Sequence, residues 1–179
     1  MGPLCIHNVR AVKSAAPPYR RRLGSKSGAS LSRVRLRWDG VPRLRSKALV
    51  WIVRQGSSGP EVLLLQRPQR RGGGLHPVTG KAEDGEPVAA AAAREAEEET
   101  GLTGDLFDLG YFHEYVSAGG KRFREHAFLL RVPPPARAVE LSDEHEGFAW
   151  VPPDAARASV SWPAHREALE LALSRLAVP

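Results

Sequence analysis

The sequence predicts an α+β fold of the α/β/α sandwich type, with a mixed β-sheet between helices, on three observations. Strand-sized apolar runs recur from residue 47 onward, one Ala- and Glu-dense segment carries helix start and stop signals, and the chain closes on an amphipathic stretch. Alternating strands and helices bury their apolar faces most simply by stacking helices on a sheet. At 179 residues the chain suffices for one domain with a proper core. We therefore expect a basic extension over residues 1–45, without a fold of its own, and a single domain over residues 46–179.

The elements follow in order. Residues 47–54 (KALVWIVR) and 61–66 (EVLLLQ) are β-rich runs separated by the turn-forming GSSGP, and read as a hairpin. A Gly-rich loop over residues 71–74 follows. Residues 87–100 read as a helix, with Pro87 in its first turn and Gly101 just past its end. Strands are expected at 106–116, 123–132 and 146–151, with a break at the three prolines 133–135. Residues 165–176 form the closing helix, with Leu169, Leu173 and Leu176 on one stripe.

The net charge of +6 is unevenly held: residues 1–46 carry 11 of the 26 Lys and Arg against one acid, Asp39. The folded part is therefore mildly acidic. Arg, Ser, Gly and Pro dominate the extension, too little apolar surface to fold alone. It reads as a disordered tail or a misplaced start, as an organelle-targeting leader, or as a nucleic-acid-binding arm with salt-dependent affinity. No run reaches the roughly 18 to 20 apolar residues of a membrane span. A lone Cys5 excludes an intrachain disulfide and fits a cytoplasmic protein.

The chemistry is concentrated in residues 80–102, GKAEDGEPVAAAAAREAEEETGL. Glu95, Glu98 and Glu99 stand at i, i+3 and i+4, which brings them to one side of a helix where like charges repel. A bound divalent ion removes that repulsion, and carboxylate oxygens are ligands that Mg²⁺ prefers. Ala89, Ala92, Ala93 and Ala96 are expected on the opposite face, against the sheet. Glu86 at the helix start suits the dipole and can pair with a cation. REAEEE alone would also describe a solvated surface helix; the full spacing is far more specific.

That spacing, G-x5-E-x7-R-E-U-x-E-E-x-G-U with all seven fixed residues present, resembles the Nudix box. Ala96 departs mildly from it, since a larger aliphatic is usual there. The resemblance implies the Nudix fold and hydrolysis of a diphosphate bond by a metal-activated water, with Mg²⁺, or Mn²⁺ in its place, as cofactor. It assigns Glu95, Glu98 and Glu99 to the metal and makes Glu95, Glu98 and Arg94 catalytic, with Arg94 orienting glutamates. Glu144, in the stretch SDEHEGFAW, is the candidate for a further acid that completes both the metal and the catalytic set.

Beyond the box, residues 47–170 resemble the dihydroneopterin triphosphate diphosphatases of that family. LLLQR (63–67), PVTG (77–80), the spaced set His113, Tyr115, Gly119, Arg122, Glu125 and Phe128, then Glu144-His145 with Trp150, and Ser161-Trp162 carry the resemblance. Three positions differ: Gly74-Leu75 replaces an aromatic pair, and His76 stands where Gln is expected. The expected substrate contacts are Arg67, Arg122, Tyr115 and Trp162. The partner is then a small diphosphate substrate, dihydroneopterin triphosphate or alternatively a dinucleoside polyphosphate or a (d)NTP, with no membrane and no nucleic acid. A non-catalytic nucleotide- or RNA-binding regulator is the reading of a different class. Allylic diphosphate isomerase chemistry lacks its cysteine here.

Overall fold

The computed structural model describes residues 43–134 and 138–176. The expectations for the basic extension and Cys5 lie outside these residues. β1 (Leu44–Gly56) and β2 (Gly59–Gln66) form the expected hairpin, in register Val53↔Val62 through Gly56↔Gly59. β1 starts two residues before the expected boundary at residue 46, because its parallel ladder with β6 (Arg122–Val132) runs from Leu44↔Arg122 to Arg54↔Val132. Strand pairing, rather than hydrophobicity, sets this end.

A short 3-10 turn over Gln69–Arg71 precedes β3 (Leu75–His76) and β4 (Val78–Lys81). Between the turn and β3, Gly72, Gly73 and Gly74 all have positive φ, which explains the glycine run. Neither strand was anticipated, since two- and four-residue strands carry too little periodicity to register. α1 (Val88–Thr100) is followed by Gly101 at φ +68°, whose amide donates to the Glu97 carbonyl. β5 (Asp105–Val116), β6 and β7 (Gly147–Val151) fall where expected. α2 (Pro153–Ser159) was not anticipated, and α3 (Pro163–Leu176) closes the described chain.

The sheet runs β3-β2-β1-β6-β5, with β7 added on β2. β1 divides one edge between two partners: its first half pairs with β4 (Lys47↔Lys81 to Val50↔Val78) and its second half with β2. The only parallel pair among the described residues is β1 with β6, so the sheet is mixed, as expected.

Each face of the sheet has its own core. Ala48, Val50, Ile52, Phe128 and Leu130 pack with Ala92 and Ala96 of α1. Leu49, Trp51, Ala127 and Leu129 pack with Ala156 of α2 and Ala168, Leu169 and Ala172 of α3. Alternating side chains of β1 and β6 therefore serve opposite layers, which is why residues 48–53 are apolar throughout and buried on both sides.

α1 does not seat on the expected alanine face. Its buried residues are Ala91, Ala92, Ala96, Glu99 and Thr100, while Ala89 and Ala93 are exposed. The glutamates do not oppose an alanine face. At 100° per residue Glu99 lies only 60° from Ala96, so metal-type and packing-type residues share a border. In α3, small residues (Ala164, Ala168, Ala172) do most of the seating, and Leu173 and Leu176 are only partly buried.

Candidate active site

α1 runs beside β4, and the two form one wall of an open cleft of about 400 Å³. Glu95, Glu98 and Glu99 reach it from α1, Glu144 and Ser142 from the segment before β7, and Lys47, Thr79 and Lys81 from β1 and β4. All four acids expected to hold metal thus line one cleft. Gly80 makes the close approach possible: a Cβ there would overlap the carboxyl of Glu95.

Arg94 organises the entrance. Its Nε and Nη2 donate to both oxygens of Glu86 at 2.9 and 3.0 Å, and its Nη1 donates to Glu98 at 2.9 Å and lies 3.1 Å from Glu95. Nη2 also donates to the Lys81 carbonyl, tying α1 to β4. This forked geometry suits guanidinium in a way a lysine could not reproduce. The Glu86 carboxyl is lowered by these bonds and by the Glu83 amide, and the Arg94 guanidinium is raised. Burial pushes the Glu95 carboxyl upward and neighbouring Glu99 and Glu98 add to this, against the pull of Arg94.

Glu99 has a support the sequence did not reveal. His145 Nε2 donates to it at 3.1 Å, and both side chains are largely buried. The His76 ring lies 5.2 Å from that of His145. The signal available was only the Glu144-His145 dipeptide, whose histidine carried no assigned role.

The expected substrate residues divide. Tyr115 and Trp162 meet edge to face at 6.1 Å, and Trp162 is 40 % exposed. They belong to a cluster on the α3 face of the sheet, centred on Glu125, which is 2 % exposed. Glu125 accepts from Lys47 at 3.0 Å and from His165 at 2.9 Å, with His113 Nε2 at 3.4 Å. The His113 contact is near but not aligned as a hydrogen bond, and both its ring nitrogens lack one. Despite burial, the bond from His165 and the charge of Lys47 hold the Glu125 carboxyl well below its ordinary range. Burial keeps His113 lowered, hence neutral at physiological pH, and Glu125 opposes this only in part. Arg122 lies on the other face of β6 and faces Glu114, to which Arg124 also donates. Arg67 follows β2, its amide bonded to the Gly74 carbonyl. None of these four substrate candidates lines the glutamate cleft itself.

The donor set tests the expected metal. Four carboxylates against two lysines, in an open and polar cleft, supply hard oxygen ligands and surplus negative charge, and this fits Mg²⁺ or Mn²⁺.

Helix carboxylates around an open polar cleft, on a mixed sheet between helices, make a site suited to a divalent cation. The NUDIX domain family matches residues 43–172, and the chain belongs to it. Among solved structures it is similar to an Ap4A hydrolase from C. elegans in a binary complex, with TM-score 0.65 and 26 % identity, covering 74 % of this chain and 98 % of that one. It is also similar to the dihydroneopterin triphosphate pyrophosphohydrolase of E. coli, with TM-score 0.58 and 30 % identity, covering 70 % and 92 %. An octanoyltransferase of Myxococcus xanthus is 40 % identical over 118 residues, 64 % of this chain; the match spans only 32 % of that protein's length. Among the described residues no helix is long and apolar enough to cross a membrane.

Proposed function

We propose that the protein is a Mg²⁺-dependent pyrophosphohydrolase, with Mn²⁺ able to substitute, which cleaves a heterocyclic triphosphate to the monophosphate and pyrophosphate. Dihydroneopterin triphosphate is the proposed substrate. The observation that carries the reading is the convergence of Glu95, Glu98, Glu99 and Glu144 on one cleft. Glu95, Glu98, Glu99 and Glu144 would hold the metal, which when bound neutralises phosphate oxygens and lowers the pKa of a water. Arg94 keeps Glu98 and Glu95 aimed, and His145 fixes the rotamer of buried Glu99. Either Glu95 or Glu144 is proposed to accept the proton of the attacking water.

The pterin reading draws support from the 30 % identity to the E. coli enzyme. It also draws on the aromatic pair Tyr115 and Trp162, which offers flat apolar surface for a heterocycle. Arg67 is assigned to an outer phosphate, while Arg122, which faces Glu114 outside the cleft, is kept as a weak outer contact. A dinucleoside polyphosphate or a (d)NTP is the second reading, favoured by the fit to the Ap4A hydrolase. The octanoyltransferase likeness is confined to about a third of that protein, and its acyl chemistry is not extended to this chain. The test incubates the protein with Mg²⁺ and dihydroneopterin triphosphate, Ap4A and dNTPs. Release of pyrophosphate fastest from the pterin is expected; preferential cleavage of Ap4A moves the assignment to the second reading, and no turnover by folded protein rejects the function.

A further inference from the structure

Lys47 is common to two regions that otherwise face apart. Its side chain is 15 % exposed and lines the glutamate cleft, yet its ammonium rests on Glu125 and on the Tyr115 hydroxyl, at 3.0 and 3.4 Å, on the α3 side. The register explains this. Lys47 of β1, Glu125 of β6 and His113 of β5 stand directly opposite one another across three strands, so their side chains emerge on one face. Lys47 also lies at the branch of the sheet, opposite Lys81 of β4, where the cleft opens.

An ammonium has three donors. Glu125 and Tyr115 take two, leaving one for a group in the cleft. We infer that Lys47 is a phosphate-binding and specificity-determining residue, held at the cleft wall by Glu125, which together with His165 acts as a positioning residue. A substrate whose diphosphate meets the α1 glutamates would bring the adjoining phosphate to Lys47 and the attached heterocycle toward Tyr115 and Trp162. The cradle suits this task, because a buried counter-charge keeps a flexible four-carbon stem in one place. Desolvation lowers the ammonium but Glu125 and Tyr115 more than compensate, so Lys47 stays charged.

The inference rests on the pyrophosphohydrolase reading and is tested separately from it, by binding of inorganic tripolyphosphate as its Mg²⁺ complex in a calorimeter. Lys47→Met is expected to weaken that binding by about tenfold or more, and to lower kcat/KM mainly through KM, with Lys47→Arg recovering part of the loss. Affinity for Mn²⁺ alone should be unchanged. Should Lys47→Met fail to fold, Lys47→Met/Glu125→Gln removes both charges while leaving His165 a polar partner, and the same loss is expected. Tripolyphosphate binding within twofold of wild type, a matching loss of Mn²⁺ affinity, or a wild-type enzyme that turns over substrate yet ignores tripolyphosphate would each overturn the inference. Absence of turnover alone would reject the proposed reaction and leave the binding result to stand on its own.

Discussion

The two faces of the sheet treat acidic residues in opposite ways. On the α1 side, four carboxylates share an open cleft with two lysines, and Arg94 at its entrance is divided among Glu86, Glu95 and Glu98. On the α3 side, a single buried carboxylate, Glu125, has Lys47, His165 and His113 around it. The first arrangement has negative charge in excess and room to spare, so an external cation lowers its energy. The second pairs its one buried carboxylate internally. One is built to bind and the other to hold, and the difference teaches that a count of acids says little without the count of donors beside them.

Glu98→Gln should break the first region without touching the second. Its side chain is 58 % exposed, so a loss in kcat on the order of a hundredfold to a thousandfold is expected with melting temperature nearly unchanged. Steady-state kinetics beside a thermal melt checks both halves, and a collapse of the fold would make Glu98 structural. Glu125→Ala should do the reverse. Removing one partner of a buried ion pair strands Lys47 and two histidines, a cost of about 3–5 kcal/mol, readable in urea denaturation.

Burial first, then the charge of Arg67, lowers His76 to about 4 from an ordinary 6.5. Between those values the unfolded chain binds a proton that the folded one refuses. Stability is therefore full above pH 6.5 and falls as the pH drops toward 4, by about 3 kcal/mol at most. His76→Gln should flatten this part of the profile; an unaltered slope would assign it to other groups. The smallest effect is expected at Arg122. Its guanidinium already faces Glu114 at 3.5 Å and is 38 % exposed, so Arg122→Ala should change KM by less than about threefold. A tenfold rise would instead make it a strong substrate contact.

Legibility followed length and local pattern. The long strands, α1 and the closing helix carry enough periodicity to be read, and their ends moved by only a few residues. β3, β4 and α2 are two, four and seven residues long, too short to show a period of their own. At the site, Glu95, Glu98, Glu99 and Arg94 were visible because helical spacing alone brings them together. Lys47, His145 and His165 were not, since each gains its role from a contact 40 or more residues away: Lys47 with Tyr115, His145 with Glu99, and His165 with Glu125.

What the sequence by itself determined is the family and the acidic helix, because both are written in consecutive residues whose geometry the α-helix supplies. Only the tertiary structure decided which charges those glutamates keep company with. The parallel pairing of β1 with β6 sets Lys47 against Glu125, and the division of β1 between β4 and β2 opens the cleft in front of it. Strand register is a property of the whole sheet, and no stretch of sequence states it alone.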